Sequence, residues 1–247
     1  MPSASSLDLG RALRAARSLA ADPDDTRHVF TLIESLSWRT NERLLAGYER
    51  DPVGRRLLQT RPELLPMLCD RAALAAMPRG SLGRAYLDFV DSEGISADGL
   101  VEASVEGQRG LHAEGSAAAY VGQRMRDTHD LWHTVTGYKG DLIGEVALLS
   151  FSHAQIWNAG VSVVVGVGVL KIRQLRVARI IASARLRGMR ASWLPVAPWE
   201  ELLPRPLSEV RARLRVRPVA PYEELRSDAL RDSGELAPRP REVRAAS

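Results

Sequence analysis

Cysteine is almost missing from this chain: Cys69 is the only one among 247 residues. A single thiol closes no intramolecular disulfide, and without a CxxC pair there is no sulfur site for zinc. A reducing compartment is the simpler expectation. Lysine is nearly as rare, at Lys139 and Lys171, so arginine carries almost all of the basic charge. That skew fits a GC-rich bacterial genome. The formal net charge is only +4, and aromatic residues make up 5% of the chain. Nucleic-acid binding requires a concentrated basic patch interleaved with stacking rings, so no nucleic acid is expected as a partner. The 19 glycines and 14 prolines are near background, which excludes collagen-like and low-complexity chains. The Ser/Ala-rich start is interrupted by Asp8 and leads into no apolar signal core.

A long apolar span is also lacking. Residues 146–170 carry no formal charge if His153 is neutral, but Ser150, Ser152, His153, Gln155 and Asn158 crowd the first half. The dry part is only the 12 residues 159–170. As a helix it would rise about 18 Å, well short of the ~30 Å of bilayer hydrocarbon. A buried helix is expected there.

What is present is a globular composition, 45% hydrophobic and 26% charged. At roughly 150 residues per domain, the length suits one large domain or two small ones. Apolar residues return mostly at helical intervals, which gives the fold class: all-α, a single multi-helix domain. Residues 1–20 read as an N-terminal arm or surface helix, 21–218 as the helical domain, and 219–247 as a charged, loosely ordered tail. Asp22-Pro23-Asp24-Asp25-Thr26 opens a helix through Val29, Phe30 and Ile33, and Asp51-Pro52 repeats that start. Further helices are expected near 63–77 and 81–90, across 116–187 with a break at Gly137-Tyr138-Lys139-Gly140, and at 206–214. Segments 94–115 and 188–199 read as loops. Residues 161–169 are rich in β-branched side chains, but helix is expected because the neighbouring segments are helical.

The chemically informative stretch is Arg126-Asp127-Thr128-His129-Asp130-Leu131-Trp132-His133, with Glu145 following after eleven residues. On a helix, His129 and His133 lie about 40° apart, and Asp130 about 60° from His133. The glycine-bounded break permits a turn, and Asp141 can cap a second helix that carries Glu145 in its first turn. Such a hairpin brings Glu145 opposite the two imidazoles. Two neutral nitrogens and two carboxylates form a donor set for one divalent metal of the zinc, iron, manganese or cobalt type. A lone i,i+4 histidine pair often arises without any metal, but here two of five histidines share a turn with an aspartate. The spacing is not that of a zinc peptidase, because Asp130 stands at the general-base position and is one methylene too short. Gly166-Val167-Gly168 lacks the third glycine and the context of a dinucleotide loop. His153, two turns after Glu145, reads as a satisfied core histidine rather than a proton carrier.

The pattern HDxxH, eleven residues, Glu resembles the hallmark of the fourth Coq protein family of ubiquinone biosynthesis, carried here by His129, Asp130, His133 and Glu145. Gly80-Ser81-Leu82-Gly83-Arg84-Ala85-Tyr86 and Pro198-Trp199-Glu200-Glu201-Leu202 add support, and the similarity runs from about Arg11 to about Leu214. The resemblance implies an all-helical bacterial homologue whose metal is held by those four residues and whose substrate is a prenylated aromatic quinone precursor. It further implies oxidative decarboxylation with hydroxylation at the first ring carbon of a prenylated hydroxybenzoate-type precursor. Peripheral membrane contact and association with other quinone-biosynthesis proteins come with the family, a homodimer is expected, and the place is cytoplasmic, at the inner face of the bacterial membrane. Two readings of other kinds stand beside it. One is a non-catalytic scaffold that binds prenyl-quinone intermediates and organises other biosynthetic enzymes; the other is a related aromatic-ring enzyme of specialised metabolism.

Two further features suit a greasy substrate. Ala159, Ser162 and Gly166 share one face of small side chains, which either admits another helix closely or leaves an apolar, lipid-accessible groove for an isoprenoid tail. Arg173, Arg176, Arg179, Arg187 and Arg190 recur at threes and fours with no acid between Lys171 and Arg190. That stripe is either a solvated helix face or a contact with anionic lipid headgroups, each charge contributing roughly 1 kcal/mol near a surface.

Overall fold

Helices begin where a side chain can satisfy the first free amides. Asp51 accepts from the Val53 and Gly54 amides ahead of Pro52, Asp70 from Ala73, Ser81 from Arg84, Ser116 from Ala119, and Asp141 from Ile143 and Gly144. The computed structural model describes residues 40–96, 98–99, 101–102, 115–172 and 175–225, with isolated positions 10, 14 and 18. Gly10, Arg14 and Ser18 are helical. The rest of the expected arm at 1–20, the helix expected after Asp22, and Arg173 lie outside the described residues.

The described elements, in chain order, are α1 (Thr40–Arg50), α2 (Pro52–Thr60), α3 (Leu65–Cys69), α4 (Arg71–Ala76), α5 (Leu82–Ser92), α6 (Ala117–Asp127), α7 (His129–Thr136), α8 (Leu142–Gln155), α9 (Ala159–Ile172), α10 (Leu175–Arg190), a 3₁₀ turn (Leu194–Val196), α11 (Trp199–Leu202) and α12 (Leu207–Arg213). Among the described residues there is no strand, only an isolated bridge between Ser81 and Pro206. The fold is all-α, as the periodicity predicts.

The short helix α7 lies at the centre of the packing. Leu131, Trp132 and Val135 join Tyr86, Leu87 and Val90 of α5, Leu148 and Phe151 of α8, and the fully buried Trp199 in one core. Trp132 meets Phe151 edge to face at 6.2 Å, a geometry favoured by the ring quadrupoles. Helices α8 and α10 run close together because α10 turns Ala184 and Gly188 inward. A Cβ on Gly188 would stand 2.4 Å from the Phe151 carbonyl oxygen. Gly188 therefore serves helix packing rather than the loop expected at 188–199. Helix α10 continues to Arg190, and the remainder is irregular apart from the 3₁₀ turn and the first residue of α11. Likewise Asp98, Gly99, Val101 and Glu102, within the loop expected at 94–115, are helical. At Gly188 the contact with α8 overrides the local cost of glycine in a helix, about 1 kcal/mol per residue.

The uncharged stretch 146–170 is broken in the middle. Ile156 is extended, at φ −136° and ψ 99°, and Asn158 Oδ1 caps α9 by accepting from the Val161 amide at 3.1 Å. No helix among the described residues is long and apolar enough to cross a membrane. The expected helix over 161–169 forms; Val161 and Val164 are buried, whereas Ser162, Val163 and Gly166 are exposed.

A buried ion pair ties α6 to the start of α11. The Arg124 side chain, 1% exposed, donates to Glu200 Oε1 at 2.6 Å, to Glu200 Oε2 at 2.9 Å and to the Ala197 carbonyl at 2.9 Å. Burial alone would lower the Arg124 pKa, but the Glu200 carboxylate outweighs it and keeps the guanidinium charged. Glu200→Ala strands that charge in the interior. The expected cost is about 3 kcal/mol, read in thermal denaturation as a fall in Tm of roughly 6–12 °C.

Candidate metal centre

The two histidines are placed by a helix too short to hold itself. Helix α7 has eight residues, below the length at which a helix is stable alone, so its core-facing side chains fix it and its opposite edge carries His129 and His133. Its end is set by Gly137 at φ 78°, a left-handed residue that glycine adopts without strain, with its amide bonded to the His133 carbonyl at 2.8 Å. The chain turns and Asp141 starts α8, which brings Glu145 round to face α7. The hairpin read from the sequence is the one that forms.

His133 Nε2 lies 3.3 Å from Glu145 Oε1, and His129 Nε2 lies 3.8 Å from Glu145 Oε2. Among the described residues these three form a group whose donor atoms, one from each, all lie within 4.8 Å of one another, close enough to hold a metal ion. Asp130 is not in that group. Its Oδ1 faces His129 Nδ1 at 2.9 Å.

The far side of each ring decides what the near side offers. His133 Nδ1 is 3.0 Å from the Tyr138 carbonyl oxygen, which can only accept, so the proton sits on Nδ1 and Nε2 carries a lone pair. His129 Nδ1 likewise donates to the Asp130 carboxylate. In the neutral rings both Nε2 atoms turn lone pairs toward an acceptor-only carboxylate, the arrangement in which a carbonyl or carboxylate behind each ring orients it for a metal. His133 Nε2 is buried and has no hydrogen-bond partner, a costly state that a metal ion or a proton shared with Glu145 relieves. The donor set of two imidazoles and one carboxylate fits a divalent ion of the zinc or first-row type.

The electrostatics call for positive charge at this point. Burial raises the Glu145 pKa, but His133 and His129 outweigh it and hold the carboxyl below its ordinary value. The His129 side chain is half exposed. Protein packed around its ring disfavours charge, yet the Asp130 hydrogen bond and Glu145 raise its pKa above that of a free imidazole. His133 is stacked on Phe89, with ring centroids 5.2 Å apart and planes at 14°, and meets the edge of His129 at 4.8 Å. A cleft of about 320 Å³ adjoins it, lined by Asp88, Phe89, Tyr138, Lys139 and Glu224 among others.

The remaining expected residues lie elsewhere. His153 is tied to Ser162 Oγ at 2.8 Å and to Arg185 at 2.6 Å, about 12 Å along α8 from Glu145. A Cβ on Gly166 would meet nothing within 4 Å, so none of the described helices packs closely at that point of the small-residue face. Arg179 and Arg190 are exposed, Arg176 pairs with Glu223, and Arg187 turns inward to donate to Tyr138 Oη at 2.9 Å. His28 and His112 lie outside the described residues. Phe89 and the Tyr138 carbonyl escape a reading by motif: one looks like an ordinary apolar position of α5, and the other is a backbone atom.

The model of a family described as coenzyme Q (ubiquinone) biosynthesis protein Coq4 matches residues 6–220. The chain belongs to the Coq4 family. It is 30% identical over 236 residues to the mitochondrial ubiquinone biosynthesis protein COQ4 of Yarrowia lipolytica, covering 89% of this chain and 84% of that protein. It is 33% identical over 178 residues to the mitochondrial ubiquinone biosynthesis protein of Neurospora crassa, covering 71% of this chain and 49% of that protein. The match to the Sclerotinia sclerotiorum counterpart likewise covers 61% of its length, at 32% identity and 71% of this chain. A crystal structure from Nostoc punctiforme, described as a candidate ubiquinone biosynthesis protein, superposes with a TM-score of 0.62 at 20% identity, over 85% of this chain and 98% of that one. At that identity it shows that this Coq4-family chain shares the fold.

Proposed function

We propose that this protein is a metal-dependent enzyme of ubiquinone biosynthesis that carries out oxidative decarboxylation with hydroxylation at the first ring carbon of a prenylated hydroxybenzoate-type precursor. In that reaction the bond from the ring to the carboxyl group breaks and carbon dioxide leaves. A carbon–oxygen bond forms at the same ring carbon with oxygen from water, and the two electrons the ring gives up, with two protons, reduce dioxygen to hydrogen peroxide. His129 and His133 hold the cation through Nε2 and Glu145 through its carboxylate, while Asp130 and the Tyr138 carbonyl keep both rings turned toward it. A bound divalent cation supplies stabilisation of the negative charge that develops on the phenolic ring as the carboxyl leaves.

The observation that carries this reading is openness on one side. Structural metal sites are closed by four protein ligands, whereas catalytic ones keep a position free. Here three donors converge while the His129 and Glu145 side chains remain 50% and 43% exposed. That favours catalysis over a scaffold that keeps its metal for structure.

The outer faces of α9 and α10 support contact with a membrane that carries the substrate. Leu175, Leu186 and Met189 are 68%, 50% and 63% exposed along one side of α10, bordered by Arg179 and Arg190. Trp157 is 55% exposed next to α9. Apolar residues rimmed by arginine suit the anionic inner leaflet of a bacterial membrane, with the small-residue face of Ala159, Ser162 and Gly166 available to a prenyl tail.

Purified protein is expected to carry about one divalent ion per chain by elemental mass spectrometry, lost in both His129→Ala and His133→Ala. Supplied with the prenylated substrate and dioxygen, wild type is expected to release carbon dioxide and form the hydroxylated ring, and Glu145→Gln to form neither. No product from wild type under the same conditions, with the ion bound, would instead leave the scaffold reading standing, and product formed at the wild-type rate by Glu145→Gln would overturn the role given to the metal. Leu186→Glu with Met189→Glu is expected to abolish sedimentation with phosphatidylglycerol vesicles while leaving metal content unchanged.

A further inference from the structure

The joint between α7 and α8 sets the distance from His133 to Glu145, and a segment far away in the sequence bolts it from both sides. The last carbonyls of α7 have no partners within the helix beyond the Gly137 cap. Arg211 of α12 donates to the Thr134 carbonyl at 3.2 Å and to the Val135 carbonyl at 2.9 Å, and the Val219 amide donates to the Thr136 carbonyl at 2.8 Å. Across the turn, the buried Asp141 carboxylate accepts from the Ile143 and Gly144 amides of its own helix at 3.2 Å each. Its other two hydrogen bonds come from the C-terminal segment: Tyr222 Oη at 2.7 Å and the Leu225 amide at 2.9 Å.

The Leu142 amide returns a bond to the Leu225 carbonyl at 3.0 Å, and Tyr222 Oη itself accepts from the Lys139 amide at 3.0 Å. The fit is close. A Cβ on Gly144 would stand 2.0 Å from the Lys139 carbonyl oxygen, 2.6 Å from Tyr222 Oη and 2.9 Å from Asp141 Oδ1. Burial and the Asp141 carboxylate both push the Tyr222 pKa up, so the hydroxyl keeps the proton it donates. Salt bridges from Lys139 to Glu224 and from Arg176 to Glu223 flank the strap.

We propose that residues 219–225 form a clamp on the metal centre, and that Tyr222, acting through Asp141, is a positioning residue that sets metal affinity by fixing where α8 starts and hence where Glu145 stands. Glu145 is one turn into α8, its amide bonded to the Asp141 carbonyl at 2.9 Å, so a shift at the cap reaches the carboxylate directly. The proposal rests on the metal reading above and adds to it a determinant of affinity that touches no ligand.

The test is zinc affinity of the full chain, by competition with a chelator at a temperature well below Tm, with folding verified by circular dichroism. Tyr222→Phe is expected to raise the zinc Kd roughly 10-fold or more, the loss typical when a group supporting a metal ligand is removed. Asp141→Asn is expected to do the same and carries the test if Tyr222→Phe does not fold. Glu200→Ala, which weakens the fold away from the joint, should leave Kd unchanged. Wild-type affinity in both joint variants overturns the proposal, as does an equal weakening in Glu200→Ala, which would mark general loosening. If wild type and His133→Ala bind zinc equally poorly, the metal reading itself falls and the clamp with it.

Discussion

Two lone pairs that face each other across 3.3 Å, on His133 Nε2 and Glu145 Oε1, are the constraint on which the centre of this molecule depends. In the neutral ring neither atom relieves the other, because the one proton of His133 is committed to the Tyr138 carbonyl on the opposite side of the ring. A buried acceptor opposed by another acceptor is costly, and folding tolerates it only where something positive completes the site. The same logic holds, less tightly, for His129, whose outward position leaves the site open to an incoming molecule.

The cost of that arrangement is met by packing around α7. One side of the helix gives Leu131, Trp132 and Val135 to the main core, and the other gives the two imidazoles to the site. Stability and chemistry therefore share eight residues, and the carbonyls at the end of that helix are held by Arg211 and Val219 from the chain's last described stretch. The charged tail that begins at residue 219 thus opens with a stretch in which Val219, Tyr222, Glu224 and Leu225 bond to the hairpin beside the site; 226–247 lie outside the described residues. The arginine stripe divides in a similar way. Arg176 and Arg187 are bound to Glu223 and Tyr138 around the hairpin, while Arg179 and Arg190 remain on the exposed face.

Much of the site was legible because the signals were local. Helical spacing put His129 beside His133, the glycine-bounded turn and Asp141 announced a hairpin, and the eleven-residue gap to Glu145 matched its return. The helices with strong caps, at Asp51, Ser81 and Ser116, were legible for the same reason. Gly188 was not: glycine reads locally as a break, and only the approach of α8 to within 2.4 Å of where its Cβ would be explains why a helix needs it. Nor could the exposure of Ser162 and Gly166 be read, since small residues on one face fit an open groove and a tight helix contact equally well.

Composition and spacing by themselves determined the helical class, the hairpin and the identity of the residues with chemistry to offer, because periodicity and capping act over a few residues. The tertiary structure alone decided that Asp130 turns to the back of the His129 ring, that Phe89 stacks on His133, and that Tyr222 and Leu225 hold Asp141. The last two depend on contacts between segments more than 40 residues apart, and separation of that kind leaves no local pattern to read.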